Sequence, residues 1–290
     1  MAVVSAILDV PYSSAHPLLQ FDYYCVKGNG DAQPLLVFVH GGAWRSEDKK
    51  DHAEFAQRLA AATKYPVVVP NYRLTSKTRV EHMFRHPGHT EDILGFLNFL
   101  GDWVTPPELE ASFDPREIYL IGHSCSAHML ASIFLDSTHI TPSLTPPAQL
   151  LEAVKGIVLS EGIYDIDRLL STFPPYRDWF IEDAFGARES YEPFDVNHYR
   201  LRDAGKSPSS WLILHSKADT LIDIPQSQLM YDHLKKVHEG NTGSIIVRDF
   251  DTLKDEHDEI LRGDEYVKLV QGFVSRVRGL TPQAQGLLPK

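Results

Sequence analysis

The chain has 290 residues, of which 43% are hydrophobic, and a formal net charge of −11 at pH 7. This acidic balance argues against nucleic-acid binding, because that function needs a basic surface to neutralise phosphates. Two cysteines, Cys25 and Cys125, are too few for a disulfide framework and are typical of a reducing compartment. Their number alone would still allow one Cys25–Cys125 bridge.

The amino-terminal segment does not have the pattern of a signal peptide, because it lacks a basic region and Asp9 interrupts it early. No stretch reaches the roughly 18 uninterrupted apolar residues that a membrane span needs. We therefore expect a soluble, cytoplasmic protein that does not bind a membrane. The sequence does not determine the oligomeric state, and a homodimer is among the alternatives.

Short apolar runs, rich in β-branched residues, predict the strands of a parallel sheet that is covered on both faces. The segment 21–26 alternates more between polar and apolar residues, so we expect it to be an edge strand. The nearly continuous runs are, in chain order, 34–40, 65–72, 117–122, 154–160, 210–216 and 243–250.

Segments with helical periodicity separate these strands. Regular alternation of strand and helix predicts right-handed crossovers and a doubly wound α/β sheet with helices on both faces. We expect one domain over residues 1–290. The predicted helices are 47–63, 90–103, 124–135, 225–238 and 264–278.

Two segments interrupt this alternation. Residues 136–150 are rich in Pro, Ser and Thr and should form a loop, and residues 164–207 are long and rich in aromatic side chains. Long insertions between sheet elements are usually lids or substrate loops, so we interpret both as parts of a cap. The alternative is a surface excursion that does not contact the functional site.

A candidate nucleophile lies where the predicted strand 117–122 meets a helix of small residues. The sequence Gly-His-Ser-Cys-Ser there nearly matches G-x-S-x-G, the sharp turn that exposes a nucleophilic serine. Ser124 is the candidate nucleophile, and Ser126 replaces the last glycine of the pattern. The alternative is an ordinary capping serine at a helix N-terminus.

The sequence His-Gly-Gly-Ala-Trp follows an early strand and predicts an oxyanion-binding loop. In an acyl-transfer enzyme, one backbone amide would come from Gly42 or Ala43 and another from Cys125. The side chain of Cys125 would then be nearly free to vary. We expect His40 to brace this loop rather than to act as a base.

An acid and a base follow the last two strands. Asp219 follows the strand 210–216, and Asp223 on the same loop is its competitor; we favour Asp219 because it lies nearer the strand end. His257 follows the strand 243–250, and an imidazole can accept and return a proton near neutral pH. The order Ser124, Asp219, His257 is the order of an α/β-hydrolase triad.

With these motifs the chain resembles the kynurenine formamidase (arylformamidase) branch of the α/β-hydrolases, particularly its fungal members. The most discriminating segments are His-Gly-Gly-x-Trp, with Gly41 and Trp44, and Glu-Gly-Ile-Tyr-Asp after the strand 154–160. The match extends from about residue 34 to the final helix. Further matching segments are 71–77, 88–100, 121–130, 160–170 and 215–227.

The resemblance implies hydrolysis of N-formyl-L-kynurenine to L-kynurenine and formate in tryptophan breakdown, which supplies NAD biosynthesis. It implies that Ser124 is the nucleophile, His257 the base and then the acid, and Asp219 the orienting carboxylate. It implies no metal or organic cofactor, and no His/Asp/Glu set in the sequence has ligand spacing. A general carboxylesterase and a non-catalytic, hydrolase-like binding protein are the alternatives.

Residues of the substrate pocket are less well defined by the sequence. Trp44, His128 and Tyr164 are candidates for lining an aromatic pocket, although each could equally serve packing. The group that meets the amino-acid carboxylate of the substrate stays open. Its candidates are Arg73, Arg168 and Arg177.

Overall fold

The computed structural model describes residues 3–27, 29–109, 111–202 and 209–279. An eight-stranded sheet lies at its centre, with strand order β1-β2-β4-β3-β5-β7-β9-β10, and β6 pairs separately with β8. The strands are β1 Val4–Pro11, β2 Gln20–Val26, β3 Asn29–Val39, β4 Val67–Pro70, β5 Ala111–His123, β6 Leu135–Asp136, β7 Val154–Ser160, β8 Arg200–Leu201, β9 Ser210–Leu214 and β10 Ile246–Asp249.

The sheet is parallel from β4 to β10, and β1 and β2 extend it in antiparallel pairing. The expectation that residues 21–26 form an edge strand is wrong, because β2 lies between β1 and β4. The polar residue that produced the alternation, Asp22, is buried and pairs with Lys49 at 2.8 Å. The buried Asp22 therefore produced an alternation of polar and apolar residues that is otherwise typical of a strand with one face in water.

Helices cover both faces of the sheet, as the sequence predicts. In the described part of the chain no helix is both long and apolar enough to cross a membrane. The helices are α1 Ala53–Thr63, α2 Gly88–Leu100, α3 Cys125–Phe134, α4 Ala148–Ala153, α5 Ile166–Thr172, α6 Glu182–Phe185, α7 Ile224–Val237 and α8 Asp264–Val277.

Alternating side chains of the central strands build two apolar layers. In β3, Leu36 and Phe38 face the layer formed with α1 and α8, whereas Val37 and Val39 face the layer formed with α2, α3 and α7. Because the sheet is buried on both faces, polar chemistry is confined to its ends. The loops after β3, β5, β7, β9 and β10 all start from the same, carboxyl end of the sheet, where open α/β sheets bind ligands.

The two predicted insertions differ in structure. The segment 136–150 is a loop only in part, because it contains a 3₁₀ turn at Pro142–Leu144 and the start of α4. The segment 164–207 contains α5, a π-helical turn at Arg177–Ile181, α6 and further short turns, and its residues 203–207 lie outside the described residues. The antiparallel pairing of β6 with β8 connects the two segments.

Candidate active site

Ser124 occupies the turn between β5 and α3. Its backbone has φ 57° and ψ −125°, a conformation that residues with a side chain rarely adopt and that persists only where the surroundings enforce it. Its amide donates to the carbonyl of Ser160 at 2.9 Å, and its carbonyl accepts from Ala127 at 3.0 Å. The turn thus holds a strained serine at the carboxyl end of a central strand.

The small residues around this turn are required by its packing. A Cβ at Gly122 would lie 2.9 Å from the Ser126 carbonyl oxygen, so a larger residue does not fit there. The hydroxyl of Ser126, which stands where the usual pattern has glycine, is fully buried and bonded. It lies 2.6 Å from the carbonyl oxygen of Val39, to which it donates, and accepts from the amide of His123 at 2.8 Å. Ser126 therefore ties the turn to β3.

The loop after β3 lies directly against the serine turn. A Cβ at Gly41 would come within 3.1 Å of the Ser124 Cβ. Gly42 has φ +90°, and a Cβ there would overlap the Ser46 carbonyl group. Ala43 and Trp44 also have positive φ, at 52° and 58°. The close approach to Ser124 explains the glycine at position 41, and the positive φ together with the Ser46 carbonyl explains the glycine at position 42.

Three buried side chains brace this loop. The Tyr72 hydroxyl donates to the Gly41 carbonyl at 2.7 Å, and His40 Nδ1 lies 3.2 Å from the same oxygen. Burial lowers the pKa of His40 to about 4, so its imidazole is neutral. The expectation that the Cys125 side chain is nearly free to vary is wrong, because its free thiol accepts the Trp44 amide at 3.3 Å.

His257 and Asp219 form a close pair. His257 Nδ1 lies 2.8 Å from Asp219 Oδ2, and the other Asp219 oxygen accepts the amides of Leu221 and Ile222 at 2.8 and 3.0 Å. Burial acts to raise the pKa of Asp219, but the hydrogen bonds from His257 and the amides outweigh it, and the pKa is lowered. Asp223, the competitor, instead accepts the Thr172 hydroxyl at 3.2 Å.

The loop of His257 packs on the serine turn through His123. The His123 and His257 rings lie 4.7 Å apart, centroid to centroid, and His123 Nε2 lies 3.2 Å from Asp258 Oδ1. Among the residues that the structure describes, the Ser124 hydroxyl has no hydrogen-bond partner. The structure therefore brings His257 against His123, the neighbour of Ser124, without a hydrogen bond between His257 and Ser124.

The sequence interpretation missed Glu161. This residue follows β7, is fully buried, and places Oε2 at 3.2 Å from His257 Nδ1. Burial raises the pKa of Glu161 more than the hydrogen bond from His257 lowers it. A usable signal was present, because Glu161 lies at the end of a parallel strand just as Asp219 and His257 do. The segment Glu-Gly-Ile-Tyr-Asp was interpreted only as a mark of the family.

Two groups of side chains among the described residues place atoms that could bind a metal ion within 4.8 Å of one another. They are His123, Glu161 and His257, and His40, Glu47 and His52. In the first group His257 Nδ1 lies 2.8 Å from Asp219, which is outside the group. In the second group His52 Nε2 lies 2.9 Å from a Glu47 oxygen.

Two of the three predicted pocket residues lie together. Trp44 and His128 meet edge to face with ring centroids 5.6 Å apart, and Phe185 from the inserted segment lies 5.0 Å from Trp44 and 5.5 Å from His128. Burial lowers the pKa of His128 to about 4. Tyr164 is fully buried, its amide donates to Gln226 at 2.8 Å, and its ring lies so close to Gly162 that a Cβ there would overlap it.

The three candidate arginines are in different environments. Arg73 is paired with Asp92, which accepts its Nη2 at 2.6 Å and its amide at 3.0 Å. Arg177 donates to the carbonyl of Arg188 at 2.9 Å. Arg168 is exposed on α5. The structure therefore gives no reason to choose Arg73 as the group that meets the substrate carboxylate, because Asp92 already neutralises its charge.

The sheet topology and the serine turn after β5 define an α/β-hydrolase fold. The structure of esterase B from Lactobacillus rhamnosis has the same fold, with a TM-score of 0.69 and 15% identity over 96% of this chain and 87% of that chain. The chain belongs to the BD-FAE family, whose model matches residues 21–234.

Curated relatives agree with the resemblance inferred from the motifs. Kynurenine formamidase from Meyerozyma guilliermondii is 27% identical over 205 residues, which cover 69% of this chain and 71% of that protein. Kynurenine formamidase from Debaryomyces hansenii is 25% identical over 266 residues, covering 76% and 85%. The chain is therefore a hydrolase similar to fungal kynurenine formamidases, and this prediction is confirmed.

Proposed function

We propose that the protein is an arylformamidase that hydrolyses N-formyl-L-kynurenine to L-kynurenine and formate. The observation that supports it most is the 2.8 Å contact of His257 Nδ1 with Asp219, beside the strained turn of Ser124. This contact holds a proton on Nδ1, so Nε2 is the proton acceptor once His257 has lost its second proton. The names of the fungal relatives supply the substrate class.

The reaction would begin with attack of Ser124 Oγ on the formyl carbon. His257 Nε2 takes the hydroxyl proton as the new C–O bond forms, and the carbonyl π electrons move to oxygen. The resulting imidazolium is stabilised by Asp219, which stays ionised because its pKa is lowered. A serine hydroxyl needs such a base because it is a weak nucleophile by itself.

The tetrahedral intermediate carries a negative oxygen, for which we propose the backbone amides of Gly42 or Ala43 and of Cys125. The closeness of Gly41 to Ser124 supports this assignment. His257 then gives its proton to the departing aryl amine as the C–N bond breaks, leaving a formyl ester on Ser124. Water, activated by His257, releases formate and restores the serine.

Gly42→Ala should lower kcat by about 10²- to 10³-fold, the cost of losing one oxyanion donor. A Cβ at this position would overlap the Ser46 carbonyl and force the loop to move. The matched control is Gly95→Ala on α2, where the added methyl group meets nothing within 4 Å. Steady-state kinetics on both variants measure the effect, and an unchanged kcat in Gly42→Ala would remove the loop from the oxyanion site.

We further propose that the chain is one domain in which the segment 164–207, as far as it is described (164–202), caps the site. Phe185 packs on Trp44, the Tyr176 hydroxyl donates to the Leu221 carbonyl at 3.0 Å, and Gln226 accepts the Tyr164 amide at 2.8 Å. These contacts join the cap to the oxyanion loop and to the loop of Asp219. An aromatic cluster under a cap suits an aryl substrate.

The deciding experiment compares kcat/KM for N-formyl-L-kynurenine with kcat/KM for short acyl esters. We expect the formamide to be preferred by at least about 100-fold, because the aromatic cluster under the cap contributes only when the substrate has an aryl ring. Absorbance of the released kynurenine reports the reaction. A preference for esters by orders of magnitude would replace this proposal with a general carboxylesterase.

A further inference from the structure

The proposed mechanism leaves one buried acid of the site unused. Glu161 directly follows β7, its side chain is inaccessible to solvent, and its backbone has φ +49°. A non-glycine residue in this region of φ is strained unless its surroundings hold it there. A buried carboxyl group is also unfavourable unless it is paired or hydrogen-bonded. Both features require a physical cause.

The contacts of Glu161 fix its carboxylate toward the base. Oε1 accepts the amide of Ser216 at 3.1 Å, and the Glu161 amide donates to the Leu214 carbonyl at 3.0 Å. These bonds anchor the residue to the end of β9. Oε2 points the other way and lies 3.2 Å from His257 Nδ1. Among the described residues Oε2 has no hydrogen-bond partner, so the ion-pair contact with the imidazole is the interaction that accounts for its position.

The groups around the His257 imidazole include two acids but no positively charged neighbour among the described residues that contact it. Asp219 and Glu161 both face His257 Nδ1, at 2.8 and 3.2 Å. Burial lowers the pKa of both His123 and His215, so these neighbours do not supply a positive charge at neutral pH. The other titratable groups that face the cluster are Asp258 on His123, and Tyr164 and Tyr266, whose pKa values are raised by burial. His257 is therefore the one of these groups that is placed to carry a positive charge beside both acids.

We propose that Glu161 is a second positioning residue for His257: its carboxylate faces Nδ1 beside Asp219 and holds the imidazole in place. This inference rests on the proposed role of His257 as the base. An opposite charge within about 4 Å typically shifts a pKa by about 1 to 3. Burial opposes protonation of His257, but the hydrogen bonds and charges of Asp219 and Glu161 outweigh it, and its pKa is raised.

Glu161→Gln separates this role from a purely structural one. The amide oxygen of glutamine can still accept the Ser216 amide, so the link between β7 and β9 is preserved, while the charge beside His257 is removed. The matched control is Asp195→Asn. Asp195 is also buried and also accepts a backbone amide, from Ile166 at 2.7 Å, but it lies in the cap and does not contact His257.

The first measurement is an NMR titration of the His257 ring nitrogens in the free protein, with the signal assigned by its loss in His257→Gln. In Glu161→Gln the midpoint should fall by about one pH unit or more, because one of two adjacent negative charges is gone. In Asp195→Asn it should match the wild type. An unchanged midpoint in Glu161→Gln would overturn the proposal. This measurement uses no substrate, so it stands even if N-formyl-L-kynurenine is not hydrolysed.

The second measurement is the pH profile of kcat/KM on whichever substrate the enzyme turns over. Activity rises with pH as His257 loses its proton, so a lower pKa moves this rise to lower pH. Glu161→Gln should show that displacement with kcat on the alkaline plateau within about tenfold of wild type. An equal loss of activity at every pH would mean a structural role and would contradict the proposal.

If Glu161→Gln does not fold, the NMR titration of His257 in Asp219→Asn tests the proposal instead. The midpoint must then stay above the ordinary histidine pKa of about 6.5, and a lower midpoint would overturn the proposal.

Discussion

Replacing Ser124 by alanine should lower kcat for N-formyl-L-kynurenine by about 10⁴- to 10⁶-fold, the range seen when the nucleophile of a serine hydrolase is removed. The change deletes one oxygen that makes no hydrogen bond within the described residues and leaves the backbone of the turn in place. That turn is held by the Ser124 amide on Ser160 and by the hydroxyl of Ser126 on Val39. We therefore expect the variant to fold and to bind substrate with little change in affinity.

A matched control is Ser209→Ala. Ser209 is also buried, and its hydroxyl donates to the Val154 carbonyl at 2.9 Å, but it lies at the opposite, amino end of the sheet. This variant should keep wild-type kcat, and its loss of one hydrogen bond costs about 1 kcal/mol of stability. A fluorophosphonate probe should label the wild type and Ser209→Ala but not Ser124→Ala. Normal turnover in Ser124→Ala would refute the assignment, and a wild type that neither reacts nor labels would indicate a non-catalytic binding protein.

The central sheet was predictable because its strands are buried on both faces. The run 154–160 coincides with β7, and the runs 34–40 and 117–122 overlap β3 and β5. Continuous apolar character over such short segments is typical of parallel strands that helices cover on both sides. The amino-terminal strand β1 was not predicted. It is partly exposed and its side chains follow no clear period, so local sequence contains little information about its pairing.

The positions of His257 and Asp219 could be predicted for a related reason. In a parallel sheet, the loops after successive strands emerge at one end, so residues far apart in sequence become neighbours by topology alone. This placed Asp219 next to His257 and not Asp223, whose partner is Thr172. The same rule, applied to the end of β7 as well as to the last two strands, also places Glu161 there.

Side-chain roles that depend on packing could not be read from the sequence. The thiol of Cys125 accepts the Trp44 amide, and the hydroxyl of Ser126 bonds to β3, because the turn and the loop after β3 touch at specific atoms. Tyr164 was a pocket candidate as an aromatic residue near a strand end, but its close approach to Gly162 could not be predicted. Such contacts depend on ångström-scale geometry, which hydrophobic periodicity does not encode.

Asp219→Asn is the second substitution with a large expected effect. In serine hydrolases with a single carboxylate, the asparagine variant loses about 10⁴-fold in kcat, because the imidazole adopts the wrong tautomer. Here Glu161 remains 3.2 Å from His257 Nδ1 and can still accept its proton. We therefore expect a smaller loss, of about 10²- to 10³-fold. Asp223→Asn is the matched control on the same loop and should leave kcat unchanged.

The double variant Asp219→Asn/Glu161→Gln tests whether the two acids replace each other. If both orient the same nitrogen, Glu161→Gln alone costs little on the alkaline plateau, whereas in the Asp219→Asn background it should cost at least about tenfold more. No charge then remains on the Nδ1 side to select the tautomer with a free Nε2. Independent, additive losses in the two single variants would show that Glu161 does not support the imidazole. A combined loss larger than the sum of the two single losses would mean that Glu161, the strained buried acid after β7, supports the imidazole of His257. The contact with Ser216 would not explain that result, because a glutamine at position 161 can still accept the Ser216 amide.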